Sequence, residues 1–164
     1  MPMKSEEHLN ENGERDHLLQ TIKTRIKYII QSVETLLDND GNLQIAGALY
    51  IHAVEEWGKY IYVKNIPSKM GIVTVKRDMF YNHNSKIELA EEDLPDECFT
   101  LKQGGFTSSG FTRSGFNVHE VADWQTRLTI FNTDLEDGGT PPLPEVNHQD
   151  LRNAVEGFKS HLKL

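Results

Sequence analysis

The chain has 164 residues, 37% hydrophobic content and a formal net charge of -8, enough length for one domain whose core needs no disulfide or metal. The single cysteine, Cys98, excludes an intrachain disulfide and suits a reducing cytoplasm, and the acidic balance argues against non-specific binding to nucleic acid or anionic membrane. The N-terminal MPMKSEEHLNENGERD lacks the apolar run of a signal peptide and no stretch reaches the roughly 18 uncharged apolar residues of a membrane span, so the expectation is a soluble cytoplasmic protein with no membrane partner.

Residues 1–13 read as a disordered, solvated tail and 14–164 as a single helical domain. From Glu14, apolar residues recur at spacings of three and four: Leu19, Ile22, Ile26, Ile29, Ile30, Val33, Leu36 and Leu37. That pattern predicts an amphipathic helix over 14–38, ended by Asp38-Asn39-Asp40-Gly41, with the glycine suited to a left-handed cap. So short a connection makes the next helix an antiparallel neighbour. This second helix, 43–66, is the most apolar segment and stops before Pro67. Its surface is broken only by His52, Glu55, Glu56 and Lys59, which share one arc. A third helix is expected over 73–92, with Ile72, Val75, Met79, Phe80, Ile87 and Ala90 as its apolar stripe and His83 inside that stripe. Residues 93–117 lose all periodicity; GGFTSSGFTRSGFN holds a short tandem repeat whose glycines and serines favour a flexible insertion loop. Phe106, Phe111 and Phe116 of that loop need cover, which makes them a candidate clasp for a partner. Further helices are expected over 118–131 and 148–162, the last capped by Asn147 or Asp150. No segment alternates convincingly with period two, so the fold class is all-α, an antiparallel bundle of four to five helices.

One cysteine and scattered histidines give no zinc spacing, and neither phosphate-binding glycine fingerprint is present. His52-x-x-Glu55 is the reverse of the Glu-x-x-His di-iron motif and occurs once. No metal and no cofactor is expected. Glu55 and Lys59 have the favourable i,i+4 order for an intrahelical ion pair. Glu56, at the edge of the apolar stripe, requires a cationic or hydrogen-bonding partner; the third helix offers Lys76, Arg77, His83 and Lys86.

The helix ALYIHAVEEWGK followed by FYNHNSK resembles the AbiV-type abortive-infection proteins, a family within the HEPN superfamily of helical bundles. The matching positions are Glu55, Glu56, Trp57, Gly58 and Lys59, then Phe80, His83 and Lys86, within a resemblance that runs from about Asp38 to Ala90. It implies a HEPN-like bundle, a role in phage defence and a homodimer. Many HEPN proteins are metal-independent ribonucleases whose signature is an arginine and a histidine separated by four to six residues; Arg77 and His83 fit that form, as do Arg113 and His119. The resemblance then implies His83 as acid–base group, Arg77 as the cation on the phosphorane oxygens, and Glu55, Glu56, Lys59 and Lys86 in support. On one straight helix Arg77 and His83 would stand about 120° apart, so their cooperation needs an irregular backbone or the partner subunit. The alternative is a non-catalytic helical interaction module that binds a phage or host protein.

Overall fold

The computed structural model describes residues 5–99 and 146–164. In chain order these form β1 (Glu6–Asn10), α1 (Glu14–Asp38), α2 (Leu43–Asn65), β2 (Ile72–Lys76), α3 (Asp78–Tyr81), α4 (His83–Asp93), a 3-10 turn (Asp96–Phe99) and α5 (His148–Leu162). The protein is mainly helical, as the apolar periodicity requires. The helices expected over 14–38, 43–66 and 148–162 fall where the pattern placed them. The expected helix 118–131 and the loop bearing Phe106, Phe111 and Phe116 lie outside the described residues.

Helix α1 buries Ile22, Ile26, Ile30, Val33 and Leu37, one residue per turn along a single stripe. It pairs with α2 antiparallel: Arg15, at the start of α1, donates to the carbonyls of Lys64 and Ile66 at the end of α2. In the connection between them Asp40, not Gly41, takes the left-handed conformation, with φ of 50°. Gly41 instead lies under Leu36, where an added Cβ would come within 2.7 Å of that side chain. Asn42 caps α2 by accepting from the Ile45 amide at 3.0 Å, and Asn82 and Asn147 do the same for α4 and α5. Almost the whole perimeter of α2 is buried, from Ala46 to Gly58.

Two expectations are corrected. Residues 6–10, assigned to the tail, form β1, which pairs antiparallel with β2 in the register Glu6 to Lys76 through Asn10 to Ile72. Residues 73–92 are not one helix but β2, α3 and α4 in succession. The run Ile72-Val-Thr-Val is β-branched and stiff at χ1, which favours a strand, and Val73 and Val75 alternate inward against the bundle. The turn before β2 has positive φ at both Met70 and Gly71, flanked by reciprocal Lys69–Ile72 hydrogen bonds, the geometry of a tight hairpin turn. At Asn82 the backbone is extended, and this residue separates α3 from α4.

The core is continuous across α1, α2, α4, the 3-10 turn and α5. Tyr50 ties the last two to α2: its hydroxyl donates to the Cys98 carbonyl at 2.5 Å and lies 3.3 Å from that of Ala154. Asp93, at the end of α4, accepts from Trp57 Nε1 at 2.7 Å and from His161 Nε2 at 2.9 Å, joining three helices through one carboxylate. Among the described residues, no helix is long and apolar enough to cross a membrane.

Candidate functional site

Helices α2 and α4 meet in a close backbone approach at Gly58. A Cβ on Gly58 would stand 1.9 Å from the Lys86 carbonyl oxygen, so only glycine lets the α4 backbone lie directly on α2. The glycine of EEWGK is therefore a packing residue, and its effect is to bring the first turns of α4 over the acidic pair.

Glu55 and Glu56 are 0% and 1% exposed. Adjacent residues on a helix point about 100° apart, so the two carboxylates look at different neighbours. Glu55 faces α4: both its oxygens lie 3.0–3.1 Å from His83 Nδ1, and Lys86 Nζ, on a side chain 3% exposed as a residue, is 3.6 Å from Oε2. Glu56 faces α1 and its own helix, with Lys59 Nζ at 2.5 Å and Arg25 at 3.8 Å. The expected Glu55–Lys59 pair is thus replaced by Glu56–Lys59, and the partner sought for Glu56 on the third helix belongs to Glu55. The swap has a simple cause: α4 crosses at Gly58, on the Glu55 side of α2. A carboxylate sealed from water costs several kcal/mol unless paired and hydrogen-bonded, and each of these two has cations within reach.

His83 is the first residue of α4, directly after the Asn82 cap, and its side chain is 26% exposed. A carboxylate accepts, so Nδ1 carries the hydrogen in this contact and Nε2 is the nitrogen that gains and loses a proton. His83 lines an open depression of about 580 Å³ together with Asp78, Asn82 and Asn84. On α4 it shares a face with the buried Ile87 and Ala90, four and seven residues on, and its own side chain reaches the rim of that face. Arg77 lies between β2 and α3 and turns the other way: its guanidinium donates to Glu7 of β1, with Nε at 3.0 Å, and its backbone amide donates to the Ser5 carbonyl. The structure therefore brings Glu55, His83 and Lys86 together, places Glu56 and Lys59 next to them on α2, and sets Arg77 between β2 and α3, against Glu7.

Three residues take roles here that the sequence reading did not assign, although it placed His52 on the polar arc and Gly58 in EEWGK. His52, one turn before Glu55, has Nδ1 4.0 Å from Glu55 Oε2; its i,i+3 spacing was the available signal. Arg25 carried none, since α1 and α2 meet only through folding. Gly58 was signalled by its own cost, about 1 kcal/mol for glycine inside a helix. Cys98 is no nucleophile: burial pushes its thiol up to about 12, with the neighbouring Glu97 charge acting in the same sense. Burial likewise holds the Tyr50 phenol well above its ordinary value. No group of three or more metal-ligating side chains is assembled among the described residues.

The described residues define a mainly helical bundle with a two-stranded antiparallel sheet and a buried cluster of acidic and basic side chains. No protein-family model, no curated protein and no solved structure matches the chain.

Proposed function

We propose that this chain is a HEPN-like protein of the abortive-infection type, acting in phage defence as a homodimeric, metal-independent endoribonuclease of the cytoplasm. The observation that carries the reading is the hydrogen bond between His83 Nδ1 and the fully buried Glu55 carboxylate. It fixes the ring and its tautomer, and it stabilises the imidazolium formed when Nε2 takes a proton. The ring stands at the rim of an open depression at the positive end of α4, which favours a phosphodiester, while the Asp78 carboxylate on the same lining opposes one. Arg77 supports the reading through its resemblance to the HEPN signature. It would serve the phosphate by exchanging the Glu7 carboxylate for phosphate oxygens.

The test is cleavage of end-labelled RNA by the purified chain in excess chelator. Cleavage leaving 2′,3′-cyclic phosphate ends is expected, lost in His83→Ala and weakened in Glu55→Gln, with both variants folded by circular dichroism. The rival reading is a non-catalytic module that binds a phage or host protein. The existing Arg77–Glu7 contact favours it, because that guanidinium already has an intramolecular role. Cellular toxicity that survives in His83→Ala would select the rival.

A further inference from the structure

Cleavage by 2′-hydroxyl attack moves two protons. One leaves the 2′-oxygen as the O2′–P bond forms, and one reaches the 5′-oxygen as the P–O5′ bond breaks. His83 can manage only one of these within a single step. A second imidazole stands against the same carboxylate. His52 Nδ1 is 4.0 Å from Glu55 Oε2, the atom that His83 Nδ1 meets at 3.0 Å. The two Nδ1 atoms are therefore no more than about 7 Å apart. The rings come from different helices, His52 from α2 and His83 from α4.

Burial separates the two roles in this cluster. The carboxylate is sealed, whereas the His52 and His83 side chains are 40% and 26% exposed. Lys86 Nζ, 3.6 Å from the same oxygen, balances the single negative charge of Glu55. A structural purpose for the His52 contact is weak, because 4.0 Å is beyond hydrogen-bond range.

We infer that His52 is the second proton-transfer residue of this site. His83 takes the proton of the 2′-hydroxyl; His52, entering as imidazolium, gives its proton to the departing 5′-oxygen. The products are a 2′,3′-cyclic phosphate and a 5′-hydroxyl end, with His83 left charged and His52 neutral until each exchanges a proton with water. This assignment rests on the RNA-cleaving reading above.

The test pairs RNA with uridine 3′-(4-nitrophenyl phosphate), whose leaving group departs without a proton. His52→Ala should lose RNA cleavage by about 10²- to 10⁴-fold, keep cleavage of the nitrophenyl ester within a few-fold of wild type, and leave the melting temperature unchanged. His83→Ala should lose both activities. RNA cleavage at the wild-type rate in His52→Ala, or equal loss on both substrates, would overturn the assignment while leaving the nuclease reading in place. A wild-type chain that cleaves neither substrate would overturn both.

Discussion

Replacing Gly58 with alanine sets two opposing effects against each other. Alanine is the better helix former by about 1 kcal/mol, and on propensity alone Gly58→Ala should stabilise α2. Packing opposes it. The new Cβ would lie 1.9 Å from the Lys86 carbonyl oxygen, 2.7 Å from its carbonyl carbon and 3.0 Å from its Cα. All three are backbone atoms, so no side-chain rotation relieves the overlap. Restoring ordinary contact requires α4 to retreat by about 1.5 Å, and α4 carries His83 and Lys86. A retreat of that size breaks the 3.0 Å His83–Glu55 hydrogen bond and weakens the cover of a fully buried carboxylate. Overpacking costs about 1–3 kcal/mol, and a buried polar group that loses its partner costs about 1–3 kcal/mol more. Packing wins, with a net loss of roughly 1–5 kcal/mol after the propensity gain. At about 2–4 °C per kcal/mol for a chain of this size, thermal melts followed by circular dichroism should show a fall of about 2–20 °C. An unchanged or raised melting temperature would mean that propensity dominates and that α4 does not rest on Gly58.

Cys98, whose thiol burial pushes up to about 12, should not react with Ellman's reagent in the native protein and should give one equivalent after denaturation; fast native labelling would contradict the burial. The Glu34 carboxylate hydrogen-bonded at 2.5 Å raises Lys159 above the ordinary lysine value. A group raised in the folded state stabilises below its unfolded value and loses that contribution as pH climbs through the folded one. Lys159→Met should therefore unfold at lower urea than wild type at pH 8, by under about 1 kcal/mol for so exposed a pair, with the gap closing at strongly alkaline pH; a gap that is constant with pH would refute the linkage. Replacing Glu55, His83 and Lys86 together by Leu, Leu and Met should be neutral or stabilising, since buried ionic clusters commonly yield to apolar residues of similar volume. Urea melts of that triple variant showing a loss above about 3 kcal/mol would make the cluster a stability device.

Most of the helical frame was legible because it is written as apolar periodicity. Ile22, Ile26, Ile30, Val33 and Leu37 mark the inner face of α1, and all five are buried. The cap of α5 was readable as Asn147 or Asp150, and Asn147 takes the role by accepting from the Asp150 amide. The sheet was not legible. β1 is Glu6-Glu-His-Leu-Asn, polar and largely exposed, and becomes a strand only through its pairing with β2. β2 is five residues long, too short for alternation to outweigh the helical stripe that Met79, Ile87 and Ala90 suggest beyond it. At the site, Glu55 and Glu56 were legible as a pair needing cations, but not which cation each would find. That choice depends on which side of α2 the fourth helix crosses, and Gly58 decides it through a contact between segments distant in sequence.

The division of labour between the two carboxylates bears on the enzyme question. Glu56 meets Lys59 and Arg25, and its buried charge is answered by permanent cations on α2 and α1; packing and neutrality account for it. Among the described residues Glu55 meets the permanent cation Lys86 and two imidazoles besides. Docking of α4 on α2 does not require them: the close approach at Gly58 and the burial of Ile87 and Ala90 already hold the helix in place. Apolar residues at 55, 83 and 86 together would dock the helices at a smaller desolvation cost, whereas leucine at 55 alone would take this carboxylate from the buried Lys86. What packing and neutrality leave over is two partly exposed imidazoles against one buried carboxylate, of which His83 is hydrogen-bonded to it and lines the open depression. The RNA-cleaving proposal stands or falls on what those two rings do.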